Sequence, residues 1–163
     1  MGTESQPSTD PQVVAPAMTP DQARVISAGQ RSADALARTI ASVGRIEQIK
    51  AIMLATYEAT PAASPVERDQ RLAATALVNH QLELARRKVE KATGWDKKCQ
   101  KRVAKYQSAG SYESLVKAIR YAHIVEKNAH LAERQAYWAE YYSIDQNQEH
   151  LIDTDGLDEA NEK

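Results

Sequence analysis

Residues 86 to 105 carry a strong excess of positive charge. They include nine lysines and arginines and two acidic residues, a net charge of +7, whereas the formal net charge of the whole chain is −1. Closely spaced cations neutralise phosphates and release counterions, which gives an affinity that falls steeply with salt and depends little on base sequence. The stretch therefore predicts a phosphate-binding, nucleic-acid-contacting surface. Its cations are Arg86, Arg87, Lys88, Lys91, Lys97, Lys98, Lys101, Arg102 and Lys105.

Helical spacing divides the second half of this stretch into two faces. At 100° per residue, the five cations between residues 97 and 105 fall within about 140° of one another. Beside them lies an apolar face of Cys99, Val103 and Tyr106. Such a helix packs by its apolar side and presents its cations to a partner. Trp95, which precedes them, is predicted to stack on an exposed base.

Three other interpretations of the stretch stay open. The first is a solvated basic face with Trp95 packed beneath a turn. The second is a helix-turn-helix unit with Gly94 in its turn, which is disfavoured because this chain has Glu90 where such units usually have a small residue. The third is a helix on a membrane surface, which is disfavoured because the apolar face is narrow and lacks Leu, Ile and Phe.

Two histidines and two glutamates share one side of a later predicted helix: His123, Glu126, His130 and Glu133. Di-iron bundles place Glu-x-x-His pairs on two helices with the ligands pointing inward. Here the order is His-x-x-Glu, and no second helix offers a matching pair. We therefore expect a solvent-facing stripe of charge, with no metal and no cofactor.

Four of the chain's nine aromatic side chains fall within six positions: Tyr137, Trp138, Tyr141 and Tyr142. Trp138 and Tyr142 fall on the apolar stripe of their helix, whereas Tyr137 and Tyr141 point elsewhere. So many rings cannot share one core face, and aromatic side chains are enriched at interfaces. The cluster therefore predicts an interface with another subunit or a partner, with packing inside a bundle as the alternative.

Motifs of catalysis do not stand out in the chain. It contains no glycine-rich phosphate loop, no G-x-S-x-G and no H-E-x-x-H sequence. The lone Cys99 has no sequence-local catalytic partner, and it favours a reducing compartment. Neither a signal-peptide pattern nor an apolar run of about 18 residues is seen. We expect a cytoplasmic protein without enzymatic activity and without a membrane partner.

Composition indicates one domain of the all-α class. The chain has 163 residues, a hydrophobic fraction of 42% that is rich in alanine, an aromatic fraction of 6% and no Phe. One domain with a modest core fits this length. Few large side chains are available to fill it, so we expect an elongated bundle of coiled-coil-like hairpins, packed through small residues and completed by a second subunit. No segment shows the two-residue alternation of a half-buried strand.

Caps and breakers predict four helices between residues 19 and 144. Thr19, with Pro20 after it, begins a helix that reaches about residue 59 and either bends near Gly44 or divides there into two shorter helices. Within it a stripe of Leu36, Ile40 and Val43 is predicted to face the core.

Ser64-Pro65-Val66-Glu67 has the form of a capping box and begins the second helix. That helix carries a seam of Thr75, Val78, Leu82, Ala85 and Val89, and it is predicted to end at residues 93 and 94, where glycine provides a left-handed cap. A third helix is predicted over residues 96 to 108 and a fourth over residues 112 to 144.

The two ends of the chain differ in charge from its middle. Residues 1 to 18 mix Pro, Ser, Thr and Gln, and we expect them to be disordered. Residues 145 to 163 carry seven acidic side chains and one lysine, a net charge of −6, and are predicted to form a disordered acidic tail. We hypothesise that this tail competes with nucleic acid for the basic stretch.

Together these patterns predict an oligomeric, non-catalytic nucleic-acid-binding accessory protein. Its general make-up is that of small accessory proteins of phages and mobile elements, such as DNA-packaging subunits, an analogy of class alone. The alternative is a helical adaptor, scaffold or chaperone that binds an acidic protein through the same basic surface.

Overall fold

The computed structural model describes residues 2 to 3 and 16 to 144, and within them the fold is all-helical, as the sequence predicts. Three long helices follow one another: α1 (Pro20–Ala59), α2 (Pro65–Ala109) and α3 (Tyr112–Ile144). Short connections make α2 antiparallel to both of the others. At 1.5 Å per residue the 45 residues of α2 span about 67 Å, so the bundle is elongated. The disorder predicted for residues 1 to 18 and 145 to 163 falls almost wholly outside the described residues.

The predicted helix starts are confirmed. The Thr19 hydroxyl accepts from the Gln22 backbone N–H at 3.1 Å, and the Gln22 side chain accepts from the Thr19 N–H at 2.9 Å, which completes a capping box. At the start of α2 the Ser64 hydroxyl accepts from the Glu67 N–H at 3.1 Å. The Glu67 carboxylate reaches back one residue further than predicted and accepts from the Ala63 N–H at 2.7 Å.

The predicted helix end at Gly94 is wrong, and so is the separate helix over residues 96 to 108. Helix α2 runs through Gly94 without a break, and its left-handed cap is Gly110, which has a φ of 63°. A glycine inside a helix costs only about 1 kcal/mol relative to alanine. The buried side chains of Ala92 and Cys99 hold the helix against the bundle on either side of Gly94, so packing overrides that cost.

Helix α1 is one continuous helix through Gly44 and not two shorter helices. Its predicted core stripe is wrong at Ile40, which is 52% exposed. The core is instead formed by small and hydroxyl-bearing side chains at alternating spacings of three and four: Ala28, Ser32, Ala35, Thr39 and Ser42, followed by Ile46. Thr39 and Ser42 donate their hydroxyl hydrogens to backbone carbonyls of their own helix, so they are buried with their donors satisfied.

Small residues bring the helices close together. Helix α3 lines the core mainly with alanine: Ala118, Ala122, Ala129, Ala132, Ala136 and Ala139. At Gly29 of α1, a β-carbon would lie 3.2 Å from the Val103 side chain of α2. Larger apolar side chains gather towards the two ends of the bundle, around Ile46 and Leu82 at one end and around Leu115 at the other.

Polar side chains lie at regular intervals along the contact between α2 and α3. The centroids of the Trp95 and Tyr121 rings lie 5.3 Å apart, so these two residues are level with each other in the antiparallel pair. Seven residues back along α2 from Trp95 and seven residues forward along α3 from Tyr121, Lys88 comes level with Asn128, and both are 3% exposed. Another seven residues bring Gln81 level with Gln135, again both 3% exposed. Buried polar groups at matched positions favour one register over its neighbours, because a slip would leave them against apolar groups.

Candidate nucleic-acid interface

Eight of the nine cations between residues 86 and 105 lie at the surface of α2. At 100° per residue they fall within about 160° of one another, on the side of α2 that is exposed to solvent. We call this surface the cationic face, and from its first to its last residue it extends for about 28 Å. It consists of Arg86, Arg87, Lys91, Lys97, Lys98, Lys101, Arg102 and Lys105, of which Arg102 is half-buried.

Lys88 does not belong to this surface, contrary to the prediction. Its side chain is 3% exposed and occupies the α2 seam between Ala85 and Ala92. In a straight helix that is continuous through Gly94, residue 88 falls on the same side as Cys99, which is the side towards the core. Lys88 is therefore a structural residue of the α2–α3 contact.

Acidic side chains neutralise one end of the cationic face and leave the other end charged. Arg86 pairs with Glu47 of α1 at 3.2 Å, and Arg87 pairs with Glu83 at 2.7 Å. Towards the end of α2, no carboxylate of the described residues lies within salt-bridge distance of four of the cations. These four are Lys97, Lys101, Arg102 and Lys105.

Asp96 lies within the basic stretch in sequence but points away from the cationic face. Its carboxylate accepts from the Ser32 hydroxyl of α1 at 2.7 Å and from the Gln100 side-chain amide at 3.0 Å. The same Gln100 amide donates to the backbone carbonyl of Gly29 at 2.9 Å. Asp96 therefore contributes to the α1–α2 contact, and Glu90 is the acidic residue of the stretch that stays exposed among the cations.

The positive field of the cationic face reaches the start of α3. The pKa of the exposed Glu113 carboxyl lies below its ordinary value, chiefly because Lys117 donates a hydrogen bond to it and adds its charge, and secondarily because of the charges of Arg102 and Lys105. Helix α3 adds Arg120 and Lys127, both exposed, to the same half of the bundle. Sequence reasoning missed these two cations because only the antiparallel packing of α3 on α2 brings them level with the basic stretch.

Trp95 is engaged within the protein. Its ring meets that of Tyr121 at 5.3 Å with an interplanar angle of 44°, and the Lys98 ammonium lies 4.1 Å from the centre of the Trp95 ring. The side chain is half-buried. The ring thus helps to join α2 to α3 and holds one cation in place by a cation–π contact. The alternative interpretation of a packed Trp95 describes the structure better than stacking on a base does.

The His-x-x-Glu stripe of α3 forms part of a ladder of ion pairs with α1. Arg31 donates to both carboxylate oxygens of Glu126, at 2.7 and 3.0 Å, and Arg38 donates to Glu133 at 2.6 Å. A third pair, Arg45 with Glu140 at 2.7 Å, follows seven residues later on both helices. The sequence predicts a stripe that faces solvent. His123 and His130 are indeed exposed, but the glutamates bind arginines of α1 and set the parallel register of the two helices.

Groups that could support chemistry or metal binding are scarce among the described residues. Burial raises the pKa of the Cys99 thiol, which lies 3.4 Å from the backbone carbonyl of Ala118, so the reactive thiolate is disfavoured. Within residues 2 to 3 and 16 to 144, no set of three His, Cys, Asp or Glu side chains is arranged to hold a metal ion. The helices of this part of the chain also lack the length of apolar sequence needed to cross a bilayer.

The aromatic cluster of α3 divides as its helical spacing predicts. Trp138 and Tyr142 stack at 5.9 Å with an interplanar angle of 24°, and Tyr142 is 6% exposed within the core. Tyr137 and Tyr141 meet the edge of Trp138 and are 63% and 38% exposed. Half of the cluster is thus core, and the other half remains a candidate interface.

Comparison with known proteins finds no family model that matches this chain, and it finds no match among curated proteins or solved structures. The functional interpretation therefore depends on the geometry and charge of the chain's own residues.

Proposed function

We propose that this protein is a non-catalytic nucleic-acid-binding protein that uses the cationic face of α2. The observation that carries this proposal is the alignment of eight surface cations along about 28 Å of one helix, four of them with no carboxylate of the described residues in reach. Phosphates of one DNA strand repeat every ~3.4 Å along the duplex axis, and because the strand winds around that axis, the straight face would contact only part of the roughly eight phosphates within its length. The proposed contact is with the phosphate backbone, because Trp95 is occupied by Tyr121 and Lys98.

The proposal includes self-association and an accessory role in nucleic-acid handling. Contacts to phosphates alone position a protein on a strand without reading bases. Several copies bound side by side would coat or gather the nucleic acid, which is the kind of task that packaging subunits of phages and mobile elements perform. Such a protein would act in the cytoplasm, where Cys99 remains a thiol.

The first test is fluorescence anisotropy of labelled duplex and single-stranded oligonucleotides, titrated at several salt concentrations. We expect the logarithm of the association constant to fall linearly with the logarithm of salt concentration, with little dependence on base sequence. The variant Lys97→Glu/Lys101→Glu/Lys105→Glu should bind at least about 100-fold more weakly at low salt, and its salt dependence should be shallower by about one unit of slope for each lysine lost.

A matched control changes three cations outside the cationic face. Arg24→Glu/Lys50→Glu/Arg68→Glu alters the net charge by the same amount, so it corrects for the general effect of charge. We expect it to bind within a few-fold of the wild type. Absence of binding to either nucleic acid at low salt would refute the proposal, and so would an equal loss of affinity in both triple variants.

The second candidate function is docking of an acidic protein on the same face. The packing of Trp95 against Tyr121 and Lys98 favours this second function. A cationic surface with no ring free to stack on bases can bind any regularly spaced anions, including the carboxylates of a protein. A protein of this kind would ignore both oligonucleotides and would bind one acidic protein with an affinity that also falls with salt and also fails in the Lys97/Lys101/Lys105 variant.

A further inference from the structure

The solvent side of α3 carries a second basic surface, separate from the cationic face of α2. At 100° per residue, nine side chains between residues 112 and 141 fall within about 100° of one another, and eight of the nine are exposed. We call this surface the α3 face. It consists of Tyr112, Val116, Arg120, His123, Lys127, His130, Arg134, Tyr137 and Tyr141, with the half-buried Ile119 and Trp138 at its edges.

The acidic side chains of α3 lie outside the α3 face and are paired. Three of them bind arginines of α1 at 2.6 to 2.7 Å, and the fourth is bound by Lys117 of its own helix. The three are Glu126, Glu133 and Glu140, and the fourth is Glu113. On the face itself, Arg120 and Lys127 have no carboxylate of the described residues within salt-bridge distance. The α3 face therefore carries uncompensated positive charge, which suits an anionic partner.

Every aromatic ring that is exposed in the described part of the chain lies on the α3 face. Tyr112 is 69% exposed, Tyr137 is 63% exposed and Tyr141 is 38% exposed. The rings of Tyr137 and Tyr141 contact Trp138 with interplanar angles of 78° and 85°, so the indole holds both of them in place. A side chain that is already held in place loses less conformational entropy when a ligand packs on it.

We propose that the α3 face binds single-stranded nucleic acid. Arg120 and Lys127 contact phosphates. The rings of Tyr112 and Tyr137 stack on bases. These two tyrosines lie 25 residues apart, about 38 Å along α3, and both cations lie between them, so one strand along the helix can contact all four side chains.

The combination of cations and exposed rings selects this ligand. Proteins that bind single strands hold the backbone on positive charge and stack the bases on aromatic side chains. In a duplex the bases are already paired and stacked on one another, so the tyrosines have no free base to contact. An acidic peptide offers carboxylates to the cations and no bases to the rings. A second copy of this chain, placed face to face, would bring like charges together.

The α3 face lies level with the cationic face of α2. The register of the two helices puts Arg120 within two residues of the level of Lys98, and Lys127 within two residues of the level of Lys91, about 3 Å along the axis in each case. The inference rests on the proposed function and adds a preference to it. The cationic face contacts the phosphates of either form of nucleic acid, whereas the α3 face distinguishes single strands from duplexes.

Fluorescence anisotropy of the full chain with three labelled probes tests the inference. The probes are a single-stranded oligonucleotide, its duplex, and an abasic strand of the same length that keeps the sugars and phosphates. We expect the single strand to bind at least about 10-fold more tightly than the abasic strand, which carries the same phosphates. The variant Tyr112→Ala/Tyr137→Ala should bind the single strand about 30-fold more weakly and leave the affinities for the duplex and the abasic strand unchanged. Both tyrosines are exposed, so the circular dichroism should not change.

Two matched controls separate the rings from other effects of substitution. Tyr112→Phe/Tyr137→Phe keeps both rings and should bind the single strand within a few-fold of the wild type. Ile52→Ala/Leu72→Ala truncates side chains of α1 and α2 that are 68% and 63% exposed, and it should leave all three affinities unchanged.

The cations of the α3 face have their own test. Arg120→Gln/Lys127→Gln should weaken binding of the single strand and of the abasic strand alike, and it should make the salt dependence shallower by about 0.7 units of slope for each cation lost. Arg24→Gln/Arg68→Gln removes the same charge elsewhere and should leave the slope unchanged. Equal slopes for the two double variants would contradict the assignment of phosphates to Arg120 and Lys127.

The outcomes distinguish this inference from the proposed function. An abasic strand that binds as tightly as the single strand would overturn the inference alone, and so would a Tyr112→Ala/Tyr137→Ala variant that binds the single strand normally or loses all three probes equally. Single-strand binding that survives Lys97→Glu/Lys101→Glu/Lys105→Glu and fails in Tyr112→Ala/Tyr137→Ala would refute the role of the cationic face and support the α3 face. A wild-type chain that binds none of the probes would refute both.

Discussion

Arg87 and Lys88 are adjacent cations of α2 that lie in opposite environments. Arg87 is exposed and pairs with Glu83 one turn away, whereas Lys88 is 3% exposed. A rotation of 100° between consecutive residues places one cation at the surface and the next in the core. The stem of a lysine packs against apolar neighbours, so its methylene groups contribute to the core even where its ammonium does not.

Substitutions at Lys88 should change stability rather than ligand binding. Lys88→Met keeps the length and the apolar stem, and we expect it to alter the free energy of unfolding by no more than about 1 kcal/mol, because removing a buried charge offsets the loss of its interactions. Lys88→Glu should destabilise by about 3 kcal/mol or more, because it reverses a buried charge. Urea unfolding followed by circular dichroism measures both.

Arg87 provides the matched control at the adjacent position. Arg87→Met and Arg87→Glu should each change the free energy of unfolding by less than about 1 kcal/mol, since an exposed i,i+4 pair contributes little. Equal effects of Lys88→Glu and Arg87→Glu on stability would contradict the burial of Lys88.

The continuity of α2 is the feature of a single element on which the cationic face depends. If α2 ended at Gly94, residues 86 to 91 and 97 to 105 would lie on two helices with independent directions. One uninterrupted helix gives all eight surface cations a common axis. Gly110, which ends α2, has a φ of 63°, whereas the φ of Gly94, which lies inside α2, is not positive.

Alanine substitutions separate these two roles. Gly94→Ala should stabilise the protein by about 0.5–1 kcal/mol, because alanine has the higher helix propensity and its β-carbon at this position meets nothing within 4 Å. Gly110→Ala should destabilise by about 1 kcal/mol, because the left-handed conformation is strained for a residue with a β-carbon. Urea denaturation of each variant gives the change in the free energy of unfolding.

Gly44→Ala is the internal control, since Gly44 also lies inside a helix with open space around it. It should match Gly94→Ala in sign and size. A destabilising Gly94→Ala beside a stabilising Gly44→Ala would show that α2 is broken at residue 94.

The whole molecule separates charge from apolar surface along its length. Residues 145 to 163, which carry a net charge of −6, follow α3 at the end of the bundle that contains the α1–α2 connection, and they lie outside the described residues. The α2–α3 register puts Ile144 level with Leu72, about 21 Å along the axis from the first cation of the cationic face. Nineteen residues can span up to about 63 Å when extended, so the acidic segment is long enough to reach most of that face.

Deletion of residues 145 to 163 should therefore tighten oligonucleotide binding several-fold at low salt, because a tethered anion competes with phosphates for the same cations. The difference should shrink as salt rises. Fluorescence anisotropy of the full chain and of the deletion variant, measured side by side, tests this. A chain with the same tail residues in scrambled order should behave like the wild type, since the effect depends on charge rather than on order. Equal affinities with and without the tail would contradict the competition.

Much of the local structure of this protein is predictable from its sequence, because helix caps and helical periodicity depend on residues within one or two turns of each other. The caps at Thr19 and Ser64 satisfy backbone N–H groups within three residues, so they were predictable, as were the helical class and the boundaries of α3. The exposure of the cations between residues 97 and 105 was also predictable, because helical periodicity over nine residues separates the cations from the apolar side chains without any knowledge of the partner helix.

The remaining features depend on tertiary packing. The continuity of α2 at Gly94 depends on side chains packed on both sides of it, Lys88 is buried because a continuous α2 points it at α3, and Trp95 is occupied by a tyrosine 26 residues away. Each outcome depends on a contact between helices. The energy of such contacts exceeds a helix propensity difference of about 1 kcal/mol, and their register depends on the whole bundle. Local patterns were enough to establish which residues are helical and which stretch is basic. The packing of the three helices determined which of those cations reach the surface and which one, Lys88, is buried in the core.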